Sequence, residues 1–143
     1  MPYRYLEDVA IADAAFEAWG SSREEMFSAA ADALLNVMLD DPAVVRPDQS
    51  QEVRLENGDL EMLLFDFLNE LIFFKDARHL LLRVASIAIA REGETFTLQA
   101  TLRGEPVDRL RESLHADVKA VTLHRFRVEE RDGAWRAEVV LDI

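Results

Sequence analysis

The sequence predicts an α+β fold: a largely antiparallel sheet with two long helices packed on it, in a single compact domain spanning residues 1–143. Three observations predict it. In the stretch 59–75, DLEMLLFDFLNELIFFK, residues Leu60, Leu63, Leu64, Phe67, Leu68, Leu71, Ile72 and Phe74 recur at helical offsets, which marks a helix with one broad apolar stripe. At about 1.5–3 kcal/mol for each fully buried large side chain, that stripe outweighs any surface interaction the chain can make. Met62, Phe65 and Phe73 widen it, so the helix is expected to lie across a sheet beside a second helix, with Glu61, Asp66, Asn69, Glu70 and Lys75 facing solvent or an edge. Six or seven alternating segments, joined by tight turns, supply the sheet. A length of 143 residues suits one domain with a real core.

The elements follow in order. Residues 3–9 and 13–19 read as two strands, the second closed by Gly20. Asp13, Ala15 and Glu17 share one face of that second strand and Ala14, Phe16 and Ala18 the other, so Asp13 points away from the more apolar side. Ser22 and Glu25 form a capping box that starts a helix over 23–39, with Phe27, Ala30, Ala31, Leu34, Leu35 and Met38 on its buried stripe. Pro42 stops it. A loop leads to a short exposed strand at 51–55, and Asp59 caps the central helix.

Residues 79–91 carry apolar side chains on both parities and are expected inside the sheet. They pair as a hairpin with 95–103, whose alternation leaves one wet face, and Gly104-Glu105-Pro106 is expected to break that hairpin. After a connector at 107–114, segments 117–130 and 134–142 make the last hairpin around Arg131-Asp132-Gly133.

Composition narrows function by exclusion. Hydrophobic residues at 50% and charged ones at 31% exclude a disordered chain. With no cysteine, disulfides, thiolate zinc sites and cysteine nucleophiles are all excluded. The N-terminus MPYRYLED lacks a basic-then-apolar signal and no apolar run is long enough to span a bilayer, so a cytoplasmic protein without a membrane partner is expected. A net charge of −12 works against direct contact with nucleic-acid phosphates. Any service to RNA would then run through a protein partner or a cation.

The chain carries no nucleophile arrangement, phosphate-cradling glycine loop or histidine pair at ligand spacing. His79 sits at a strand start, His115 in a loop, and His124 mid-strand beside Phe126, where a packed or capping role is expected. The carboxylates are more informative. On the last strand Arg136, Glu138, Val140 and Asp142 share one parity, which makes Asp142 an outward carboxylate next to the oxygens of Ile143. If the first and last strands are neighbours, Asp13 and Asp142 converge and repel unless a hard cation sits between them. Spacing alone leaves the commoner alternative open, two separate solvated charges.

Several stretches carry a resemblance: YLED, AFEAWGSSREEMFSAAADALLNVM, DLEMLLFDFLNELIF, DVKAVTLH and the terminal AWRAEVVLDI. Together they cover most of the chain, and the sequence resembles the archease family, small accessory proteins of the GTP-dependent RNA ligase that joins tRNA exon halves. The resemblance implies a non-enzyme that promotes guanylylation and repeated turnover of that tRNA-splicing ligase. It also implies a divalent-metal site, calcium-like in a crystal and manganese or magnesium in use, made here by Asp13, Asp142 and an Ile143 oxygen. Asp117, where the family usually has glutamate, and Lys119 become partner-facing residues and share a strand parity. The family has histidine, threonine, alanine and aspartate directly after Leu-Glu, whereas Asp8-Val9-Ala10-Ile11-Ala12-Asp13 stands here, so Asp8 rivals Asp13 as the ligand and also counts among the partner-facing residues. Two other function classes remain: a chaperone-like interaction module with no ligase partner, and a small metal-dependent enzyme.

Overall fold

A computed structural model describes residues 2–6 and 13–143. Two long α-helices and seven strands form the α+β fold, but the strands divide into two antiparallel sheets where the sequence suggested one. The first sheet has the order β1-β2-β7-β6, from Tyr3–Leu6, Asp13–Gly20, Ala134–Asp142 and Ala120–Arg131. The second has the order β3-β5-β4, from Gln49–Asn57, Thr95–Pro106 and Leu80–Glu92. Hairpin signals are local and do not say which hairpins share a sheet. The chain leaves the first sheet after β2 and returns to it only at β6, so the β2–β7 ladder joins the two ends of the sequence.

Helix α1 (Arg23–Met38) begins at Ser22, whose Oγ accepts from the Glu25 N–H at 3.1 Å. Glu25 reaches back one residue further than the capping box requires, accepting from Ser21 Oγ at 2.9 Å. The expected stripe is buried, and Met26, Ala29 and Ala33 are buried with it because α1 touches strands of both sheets. Helix α2 (Leu60–Arg78) is capped by Asp59, which accepts from the Glu61 N–H at 2.9 Å. All eight stripe residues are buried, and Phe27 of α1 meets Phe67 of α2 at 6.0 Å between centroids. Both helices therefore share one core with both sheets.

Three side chains on α2 depart from expectation. Lys75 is 8% exposed and lies on the buried side. Glu61 is not simply solvated, since its Oε2 accepts from the Val128 N–H of β6 at 3.0 Å. Phe73, placed on the widened stripe, is 48% exposed.

The strands also shift. β5 is the centre of its sheet and β4 an edge, buried at Leu80, Leu81 and Leu82 and again at Ile89. Gly104-Glu105-Pro106 does not break the hairpin: β5 runs on to Pro106, opposite Leu80. Glycine is required at 104 because a Cβ there would overlap the Leu81 carbonyl. The Asp132-Gly133 turn has positive φ at both residues, 54° and 78°, the pairing that lets a two-residue hairpin follow strand twist. β3 is longer than expected, and β6 begins only at Ala120, with Asp117 and Lys119 in the lead-in to the strand. His79 ends α2 in a left-handed conformation, φ 57°, and does not start the strand.

One bridge ties the sheets together at α1. The Arg23 guanidinium stacks over Phe96 of β5 at 5.1 Å and over Trp135 of β7 at 5.2 Å. Its buried Nε has no hydrogen-bond partner among the described residues, so the two rings supply the compensation.

Candidate functional site

Register builds the site. In the antiparallel ladder of β2 and β7, Asp13 stands directly opposite Asp142, Ala15 opposite Val140 and Glu17 opposite Glu138. Directly opposed residues project on the same face with Cβ atoms about 4.5–5.5 Å apart. The second strand, not the first, is thus the neighbour of the last, with β1 at the sheet edge, and the two acids that the sequence singled out meet on one face.

The same face carries an internal comparison. Glu17 and Glu138 are also opposed carboxylates, yet each has its own counter-charge. Arg4 Nε lies 2.7 Å from Glu17 and an Arg136 nitrogen 3.7 Å from it, while Arg125 Nε lies 3.0 Å from Glu138. Arg125 reaches Glu138 from a wide bulge, where Leu123, His124, Arg125 and Phe126 stand opposite Val139 alone and Arg125 takes φ 56°. Asp13 and Asp142, four residues along each strand, have no lysine, arginine or histidine partner among the described residues. Like charges placed directly opposite one another on a sheet destabilise it. One pair is neutralised by arginines and the other has no counter-charge among the described residues.

The neighbouring residues are placed as follows. Asp142 is exposed, Asp13 half-buried, and Ile143 follows Asp142 directly. The Asp142 carbonyl accepts from the Lys119 N–H at 2.8 Å, so the Lys119 backbone is fixed beside the carboxylate pair. Asp117 and Lys119 do not form a side-by-side strand pair, because both precede β6 and Asp117 turns to α2, where Lys75 Nζ donates to it at 2.7 Å. Lys75 also donates to Asp76 at 2.5 Å. Burial works against the Lys75 charge, but the two carboxylates overcome it and raise the ammonium pKa above its ordinary value. A cavity of about 430 Å³ opens beside this group, floored by Met38, Leu81, Val107 and Leu114. Asp8 lies outside the described residues. Among the described residues no three of His, Cys, Asp and Glu converge to hold a metal, so two carboxylates are the side-chain donors that Asp13 and Asp142 provide.

His124, expected to be packed or capping, is exposed in the bulge. His115 is 3.0 Å from Asp40, and its N–H donates to Met38 O at 3.0 Å. Lys75 and the Glu17–Glu138 cluster were missed by the sequence reading. Lys75 had a signal, since positions 64, 68, 71 and 75 continue the apolar stripe by steps of three and four.

Residues 3–143 match the archease protein family. The chain belongs to the archease family. It is 37% identical over 143 residues to the protein archease of Methanopyrus kandleri, covering 100% of both chains. To that of Methanosarcina barkeri it is 33% identical, covering 99% of this chain and 95% of the relative. The archease fold is matched by the solution structure of Methanobacterium thermoautotrophicum protein 1598, with a TM-score of 0.84, 30% identity and 99% of each chain covered. The crystal structure of an archease, possible chaperone, from Thermotoga maritima matches in fold with a TM-score of 0.64 at 23% identity, over 96% of this chain and 97% of that one. No helix among the described residues is long and apolar enough to cross a membrane.

Proposed function

We propose that this archease is an accessory protein, not a catalyst, that activates a GTP-dependent tRNA-splicing RNA ligase by promoting its guanylylation and multiple turnover. The observation that carries the reading is the Asp13–Asp142 pair, opposed in register without a counter-charge among the described residues, while Glu17–Glu138 beside it has three arginines. Hard oxygens of this kind suit a divalent cation such as calcium, manganese or magnesium, with Asp13, Asp142 and an Ile143 oxygen as the protein donors and water completing the shell. Bound there, the ion would neutralise the two carboxylates and offer positive charge to phosphate oxygens of a nucleotide. The chain's own residues hold that edge in place: the β2–β7 register fixes the two acids, and the Lys119 N–H fixes the Asp142 backbone. The net charge of −12 favours docking on a cationic RNA-binding enzyme through complementary potential, with no direct nucleic-acid contact.

A multiple-turnover RNA ligation assay tests this. The protein is expected to stimulate the ligase, Asp142→Asn to lose most of the stimulation, and Glu94→Gln, an exposed control far from the pair in sequence, to keep it. Equal stimulation by Asp142→Asn would remove the role given to the pair. The description of the Thermotoga maritima relative as a possible chaperone favours a second reading, an interaction module for client proteins, for which Phe73 and Leu123, 48% and 60% exposed, are the apolar contacts. Suppression of the aggregation of an unrelated protein at stoichiometric amounts, with no effect on the ligase, would establish that alternative.

A further inference from the structure

The segment 114–119 carries two of the three residues expected to face a partner, Asp117 and Lys119, and has no helix or strand of its own between the 3-10 helix Val107–Ser113 and β6. Its ends are fixed by backbone. Leu114 bridges Leu39, the His115 N–H donates to Met38 O at 3.0 Å, and the Lys119 N–H donates to Asp142 O at 2.8 Å. Val118 is fully buried and sets the depth of the segment. None of these contacts decides where the Asp117 carboxylate points. That is decided from α2, where the Lys75 ammonium, 8% exposed, donates at 2.7 Å to Asp117 Oδ1.

We propose that Lys75 is a positioning residue: its buried ammonium fixes the Asp117 carboxylate and, through it, the presentation of Lys119 beside the Asp13–Asp142 edge to the partner enzyme. The functional half of this inference rests on the accessory role proposed above, while the structural half does not. The geometry is specific. One ammonium, withdrawn from solvent, is shared between Asp76 of its own helix and Asp117 of the segment, and both carboxylates remain largely in water. Burying a lysine costs free energy that burying a leucine would not, so a lysine on the buried side of α2 is explained by its charge and not by packing. Without that charge Asp76 and Asp117, both within hydrogen-bond distance of one point, repel each other and the segment turns away from α2. Lysine suits the task, since its single ammonium bonds two carboxylates from different elements.

The test uses the full chain with Lys75→Met, Lys75→Arg and Asp117→Asn, read by amide hydrogen exchange and by ligation. In Lys75→Met, exchange of the Lys119 amide, the one in 116–119 that the structure shows hydrogen-bonded, is expected to quicken about tenfold while α1 and α2 stay protected; Lys75→Arg restores most of the protection. In the ligation assay, Lys75→Met is expected to raise the protein concentration for half-maximal stimulation about tenfold with the plateau rate kept, because presentation is lost and not the cation pair. Asp117→Asn breaks the same contact from the other side, so should Lys75→Met not fold, it must show the same quickened exchange. Unchanged exchange in the folded variants overturns the inference. Quickened exchange with an unchanged half-saturation point overturns its functional half. If the unsubstituted protein stimulates no ligase at all, the accessory role is what fails, and the exchange data still decide the positioning.

Discussion

At the scale of single residues, charge placement explains most of what is unusual in this chain. Lys75 contributes stability only while protonated. Its pKa is raised in the folded protein above the ordinary 10.5, so the folded state holds the proton more tightly than the unfolded one. Its contribution is fully present below 10.5 and is lost as pH rises through the folded value. Tyr3 and Tyr5 act in the same direction, since burial raises both phenols, and Tyr5 also donates to Asn36 Oδ1 at 2.7 Å. Comparing the native protein with Lys75→Met cancels the tyrosines. The gap in melting temperature between the two is therefore expected to be widest near neutrality and to narrow above pH 10.5; a gap constant up to pH 12 would mean the ammonium contributes no net stability. Lys75 also marks a limit of sequence reasoning. Its spacing placed it on the apolar stripe, but its residue type argued for solvent, and only a carboxylate 42 positions away reconciles the two.

At the scale of elements, local signals were legible and long-range ones were not. The Ser22 cap, the Asp59 cap, the eight buried positions of α2 and the Asp132-Gly133 hairpin each follow from residues a few positions apart. Gly104 misled for the opposite reason. A glycine before Glu105-Pro106 reads as a chain breaker, yet its role is to let β5 pass the Leu81 carbonyl, a contact set by the β4 pairing. Gly104→Ala is expected to destabilise the protein by about 1–3 kcal/mol, the cost of forcing an extra methyl into a closed site. Ser22→Ala should cost about 1 kcal/mol through the lost cap. Urea denaturation measures both, and a Gly104→Ala variant as stable as the parent would show that the strands can part to admit the methyl.

At the scale of the whole molecule, the decisive fact is that the chain closes on itself through β2 and β7. The sequence could propose that Asp13 and Asp142 meet, because each lies on the outward parity of a terminal strand, but parity does not bring two strands together. What does is the sheet order, with β7 placed between β2 and β6 so that 129 positions of separation become one register pair. The arginine-compensated Glu17–Glu138 pair was beyond reach for the same reason: Arg4, Arg125 and Arg136 come from three strands. The division into two sheets was equally invisible, since β3, β4 and β5 separate from the rest only through pairings across α1 and α2. The central claim is that the uncompensated pair takes a divalent cation, and calorimetric titration of calcium into the metal-free protein tests it most directly. One ion per chain is predicted, with affinity falling at least tenfold, about 1.4 kcal/mol, in both Asp13→Asn and Asp142→Asn and unchanged in Glu94→Gln. Equal affinity in all four proteins, or no binding to the native one, would contradict the account.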